Sequence, residues 1–147
     1  MGYRSTVAYT IRFIPPREDD PKSGLTAEKA KASFYTFLAE AKSKEDTALC
    51  FSSDESEVFE VDEEKLQLRF FADYVKWYES YPDVACHEAL IQLSRDWADD
   101  EDTNCPYIGG AFARVGEELE DNTQEVWGQG DWDWVSIARS VCADWLN

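Results

Sequence analysis

Between Asp96 and Asp133 the chain sets twelve carboxylates against a single base, Arg114, yet keeps Trp97, Tyr107, Ile108, Phe112, Val115, Trp127, Trp132 and Trp134 among them. This mixture limits the fold more than any other feature of the sequence. Disordered acidic tails share the charge bias but lack aromatics and apolar runs. The stretch is therefore expected to fold with its acids (Asp96, Asp99, Asp100, Glu101, Asp102, Glu117, Glu118, Glu120, Asp121, Glu125, Asp131 and Asp133) displayed outside.

The bias extends to the whole chain of 147 residues, whose net charge is −17. It is unevenly spread: residues 1–77 hold 15 acids and 11 bases, a net of −4, and residues 78–147 hold 16 acids and 3 bases, a net of −13. Hydrophobic residues make up 44%, enough for a real core at this length, and one domain over 1–147 is expected. A field of this sign repels nucleic acid and anionic membrane and attracts basic surfaces. Direct nucleic-acid binding through a phosphate-neutralising patch is therefore not expected. Solubility alone asks for a net charge of only about 2–8 in a small domain.

No apolar run approaches the roughly 18 residues of a membrane span. The opening Met1-Gly2-Tyr3-Arg4-Ser5-Thr6 lacks a signal-peptide apolar region. Gly2 with Thr6 approaches a myristoylation pattern, but strand-like residues follow it. Cys50, Cys86, Cys105 and Cys142 are scattered and fit thiols of a reducing cytoplasm.

Tyr3 to Ile14 alternates, with Val7, Tyr9, Ile11 and Phe13 on one face, and Pro15-Pro16 ends the strand. Thr26 reads as the N-cap of a helix over 27–43, with Glu28 in its first turn and Ala30, Phe34, Phe37, Leu38 and Ala41 on its apolar face. Thr47 to Ser52 reads as a short strand, Ser52 to Ser56 as a turn, and Val58 to Lys65 as the start of a hairpin. Its second strand runs from Leu66 through Trp77, where Pro82 stops it and Asp83 caps a second helix carrying Cys86, Leu90, Leu93 and Trp97. Asp99 to Asn104 is a charged loop. Tyr107 to Val115 is a strand in which Gly109-Gly110 permits a bulge or a close backbone approach. Glu117 to Asp131 reads as turn-rich, and residues 131–146 fit a strand or a helix, with strand preferred. The order gives an α+β fold: an antiparallel sheet of about five to six strands with two helices packed on it.

Tyr74-Val75-Lys76-Trp77-Tyr78-Glu79-Ser80-Tyr81-Pro82-Asp83-Val84, Ala111-Phe112-Ala113-Arg114-Val115-Gly116-Glu117-Glu118 and the opening Met1-Gly2-Tyr3-Arg4-Ser5 together resemble a loose family of small acidic proteins encoded by bacteriophages. The resemblance leaves out residues 15–65. It implies a class of purpose, since such proteins commonly bind and disable or redirect a host enzyme, and it carries over no catalytic residue.

The residues themselves offer little for catalysis. His87 is the one histidine, so nucleophile–base triads must pass through it, and its place beside Cys86 reads as a surface or helix-flank position. Carboxylate pairs of the glycosidase kind are unavoidable with 31 acids and therefore carry no specificity. No Cys-x-x-Cys is present, and the Asp96–Asp102 cluster lacks the alternation and central glycine of a calcium loop. Gly128-Gln129-Gly130 is not a dinucleotide fingerprint. No cofactor and no metal are expected.

Acid spacing is more informative. Glu60, Asp62 and Glu64 stand two residues apart, as do Glu118/Glu120 and Asp131/Asp133. In an extended chain such residues project from one face about 6.6–6.8 Å apart, near the separation of phosphates along a DNA strand. The sequence thus predicts a noncatalytic inhibitor imitating the charge of double-stranded DNA and occupying the DNA-binding surface of a host protein. The resemblance to acidic phage proteins, and not any residue, puts DNA gyrase first among the expected targets, with CRISPR effectors, restriction enzymes and RNA polymerase next. The expected contacts are Glu60, Asp62, Glu64, Asp99, Asp100, Glu101, Asp102, Glu117, Glu118, Glu120, Asp121, Asp131 and Asp133, with Trp132 and Trp134 as aromatic anchors. An adaptor docking a basic host protein without DNA mimicry is the alternative, and a small carboxylate-dependent enzyme a third. A homodimer is compatible with each.

Overall fold

The computed structural model describes residues 4–20, 22–52, 59–75, 77–78, 80–99, 105–118, 121–137 and 141–145. The alternating opening segment forms β1 (Ser5–Phe13). After the proline-ended loop, Thr26 caps α1 (Ala27–Ser43), its hydroxyl accepting from the Lys29 amide at 3.1 Å. The buried stripe of α1 is the expected one: Ala30, Phe34, Phe37, Leu38 and Ala41.

The chain then departs from the expectation. Thr47 to Ser52 is not a strand but part of a second helix, α2 (Glu45–Ser52). Glu45 and Asp46 complement the helix dipole in its first turn. Thr47 is buried and its hydroxyl donates to the Ala41 carbonyl, locking the corner between α1 and α2.

β2 (Phe59–Asp62) and β3 (Gln67–Val75) form the expected hairpin, although β3 stops at Val75 rather than Trp77. Leu66, in the connecting turn, holds a left-handed φ of 57° while its side chain is buried. The expected turn at 52–56 falls outside the described residues. α3 (Pro82–Asp99) begins at the proline instead of being capped by Asp83. The Tyr81 carbonyl accepts the first helical bonds, from the amides of Val84 at 3.0 Å and Ala85 at 2.8 Å. A proline without an amide hydrogen suits the first helical position, where that hydrogen would have no partner.

β4 (Ile108–Gly116) matches the expected strand, but the acidic segment after it is more regular than expected, since Asn122–Gly128 forms β5. Residues 131–146 contain strands as preferred, in the form of a small hairpin of β6 (Val135–Ile137) and β7 (Val141–Ala143).

The main sheet is antiparallel in the order β2-β3-β1-β4-β5. β1 thus lies between β3 and β4, each joined to its partner across the sheet by helices. This is the split β-α-β arrangement of ferredoxin-like sheets, with β5 added at one edge. Residues facing each other across the ladders point to one side. On one face Val7, Tyr9, Ile11, Phe13, Leu68, Phe70, Ile108, Phe112 and Trp127 meet the helices in the main core. On the other face Ala8, Ala111 and Ala113 are covered by Val135 and Ala143 of the small hairpin, with Trp134 and Trp145 beside them. Three layers result.

Gly109-Gly110 serves close approach and not a bulge. The β1–β4 register is unbroken there, and a Cβ on Gly110 would lie 2.2 Å from the Trp127 indole.

Candidate partner-binding surface

Four arginines turn inward. Arg12, Arg69, Arg95 and Arg114 have side chains only 11–30% exposed, and each is ion-paired to a carboxylate of the chain itself. Arg12 holds Asp144 at 2.6 Å, Arg95 holds Glu125 at 2.6 Å, and Arg114 takes both oxygens of Asp121 at 2.7 and 3.3 Å. The exposed bases are mainly lysines of the amino-terminal half, Lys22, Lys29, Lys31, Lys42, Lys44 and Lys65, with Arg17.

The expected phosphate-like ladders are mostly not formed. Glu60 and Asp62 do share a face of β2, but both reach Arg69, at 2.7 and 3.7 Å, so one guanidinium screens the pair. Glu64 lies in the turn between β2 and β3 and does not extend the row. Asp131 and Asp133 are not extended either: Asp131 Oδ1 accepts the Asp133 amide at 2.8 Å, and its carbonyl accepts the Trp134 amide at 3.1 Å. Glu118 is exposed in the turn after β4, and its expected partner Glu120 lies outside the described residues.

Other predicted contacts have local duties. Glu117 accepts the Arg4 amide at 2.7 Å, and Asp121 closes the β4–β5 turn through Arg114. Asp99 is the exposed last residue of α3, while Asp100, Glu101 and Asp102 fall outside the described residues. Nor do the predicted acids gather in one patch. β2 and β5 are opposite edges of the sheet, about 19 Å apart at the usual strand spacing. Along the β4–β5 hairpin, Glu117 and Glu118 lie at one end, whereas Asp131 follows the other.

The two tryptophans part company. Trp132 is 55% exposed, the most exposed large apolar side chain described, and sits between the exposed Asp131 and Asp133. Its turn is braced, because Gln124 of β5 donates to the carbonyls of Trp132 at 3.3 Å and Val135 at 3.0 Å. Trp134 is no anchor. It packs in the second core, with the Arg12 guanidinium 4.5 Å from its ring centroid.

A cavity of about 390 Å³ opens between α3 and the β4–β5 edge, lined by Trp77, Glu88, Arg95, Phe112, Arg114 and Glu125 among others. Its two carboxylates are engaged: Glu125 with Arg95, and Glu88 with the Trp77 indole NH at 3.2 Å. Neither is poised over open space as an acid–base pair requires.

A buried polar cluster lies elsewhere. His87 is not at the surface as its place beside Cys86 suggested; it is 8% exposed, because α3 is covered by the sheet on one side and α2 on another. Its Nδ1 lies 2.6 Å from the Tyr9 hydroxyl and 3.6 Å from Cys50 Sγ, and its ring packs 4.2 Å from Phe70. Cys50, Cys86 and His87 offer ligand atoms all within 4.8 Å of one another. The bond to Cys86, then burial, raises the Cys50 thiol well above its ordinary value. Burial foremost, and then the neighbouring Cys50, Cys86 and Glu88, raises the Tyr9 phenol. Tyr9 therefore keeps its proton. Sequence spacing could not reveal the cluster, since α2 meets α3 only through the fold. The adjacency of Cys86 and His87 was the one visible hint.

Comparison of the chain with protein-family models, with curated proteins and with solved structures gave no match.

Proposed function

We propose that the protein is a noncatalytic inhibitor that docks on the basic, DNA-binding surface of a host DNA-handling protein. The observation that carries this reading is the placement of charge: four guanidinium groups turn inward and pair within the chain, while Asp131 and Asp133 stand exposed around a braced and exposed Trp132. Such a surface steers toward lysines and arginines and offers one aromatic anchor at the centre of a polar rim. The resemblance to acidic phage proteins supplies the host setting and gyrase as first target. Competition rests here on the field and the anchor. A phosphate-spaced ladder plays little part, because only Glu60 and Asp62 adopt that geometry and Arg69 screens both.

The test is capture of purified gyrase, restriction enzyme, CRISPR effector and RNA polymerase on the immobilised protein, with and without excess duplex DNA. DNA should displace the bound partner. Retention undiminished by DNA would replace inhibition by the adaptor reading, which the incomplete ladders favour. Trp132→Ala should weaken capture by about 2 kcal/mol, as for a central interface aromatic. Asp131→Asn with Asp133→Asn should weaken it more than Glu18→Gln with Asp19→Asn and Asp20→Asn. Equal losses from the two sets would show a diffuse field and no located surface.

A further inference from the structure

We propose that Cys50, Cys86 and His87 form a buried zinc site that ties α2 to α3. Three donors suited to zinc converge beside the Tyr9 hydroxyl, and Phe59, Phe70 and Trp77 ring the imidazole with centroids 5.7, 4.2 and 6.1 Å away. A tetrahedral ion with zinc–sulfur and zinc–nitrogen distances of about 2.3 and 2.0 Å separates those two ligands by about 3.5 Å. Cys50 Sγ and His87 Nδ1 stand 3.6 Å apart. Zinc bound through Nδ1 places the ring proton of the neutral imidazole on Nε2.

Charge favours a divalent ion. Zinc binding expels one proton from each thiol to solvent and leaves Zn²⁺, two thiolates and a neutral imidazole, a site with no net charge. A buried neutral site avoids the cost of an unpaired buried ion. The same centre with a monovalent ion would carry an uncompensated negative charge. Tyr9 gives up its bond to Nδ1 on binding. The site also accounts for α2, which has eight residues and an exposed Leu49 and is short for a helix held by propensity alone. An ion held by one ligand of α2 and two of α3 fixes it in place.

Burial of all three residues means the metal enters as the chain folds. The protein is therefore unfolded under reducing conditions with chelator, refolded with one equivalent of zinc or cobalt, and desalted. About one zinc per chain should remain, and the melting temperature should rise above that of protein refolded without metal. The cobalt form should show thiolate-to-cobalt charge transfer and the bands of a tetrahedral ion. Carboxylates of this acidic surface give neither signature, so the spectrum separates the site from adventitious binding even where a variant fails to fold. Cys50→Ser and Cys86→Ser should each lower retention at least about tenfold, in line with loss of a ligand. Absence of the charge-transfer band in the wild-type chain, or equal retention after both substitutions, overturns the proposal.

Discussion

Gly110 shows how a single residue sets the packing at the β5 edge. Its missing Cβ admits the Trp127 indole, whose NH reaches Ser94 at 2.8 Å and whose face takes the Arg95 guanidinium at 4.6 Å. Gly110→Ala should cost about 1–3 kcal/mol, the usual penalty of overpacking, and urea unfolding monitored by circular dichroism measures it. Tyr9 governs the alkaline limit. Its ordinary value is 10.0 and folding raises it, so above that pH the unfolded phenol has lost a proton that the folded one keeps. Stability must then fall as pH climbs beyond 10.0, and below it the group contributes no slope. In protein refolded without metal the Cys50 thiol acts with the same sign from its ordinary 9.0 upward. In that metal-free protein Tyr9→Phe should remove the tyrosine share of the slope, leaving the thiol share, at a cost of about 1 kcal/mol near neutrality for the lost hydrogen bond. Equal alkaline slopes in the two proteins would refute that assignment.

Elements with one wet face were legible in the sequence, and elements defined by their partners were not. α1 and β1 declared themselves through capping and period, down to each buried residue of α1. α2 escaped because a short apolar run such as Thr47 to Ser52 has no period of its own and fits strand or helix equally. β5 escaped because its pattern alternates weakly: Thr123 and Glu125 face the cavity beside α3, where polar residues are tolerated. The site was legible in sign but not in place. Asp121, Glu125 and Asp144 read as surface charge, and only the fold pairs them with Arg114, Arg95 and Arg12. Arg12 is the peg of the small hairpin, joining Asp144 by two bonds while its guanidinium covers the rings of Trp134 and Trp145. Lysine cannot supply that planar fork. Arg12→Lys should leave the main sheet intact and speed amide exchange at Val135–Ile137 and Val141–Ala143 about tenfold or more. Unchanged exchange there would mean that Ala8, Ala111 and Ala113 hold the hairpin by themselves.

The charge of −17 acts over the whole surface, so partner binding should depend steeply on ionic strength. Exposed charges are screened over about 8 Å at physiological salt. Affinity measured from low to high salt should fall continuously, and a flat response would assign the interface to apolar contact. The charge also has to coexist with a long-range topology. Among the described residues no helix is long and apolar enough to cross a membrane, and the apolar burden rests largely on β1, buried on both faces between β3 and β4. During synthesis β3 is complete at Val75, but the strand that covers the other edge of β1 ends only at Gly116. At about 5–20 residues per second the ribosome leaves that edge bare for roughly 2–8 s. A nascent chain with an open, apolar central strand invites pairing with its neighbours. Residues 1–77 carry a net of only −4, so repulsion between nascent molecules must grow as the acids from Glu79 to Asp102 are added ahead of β4.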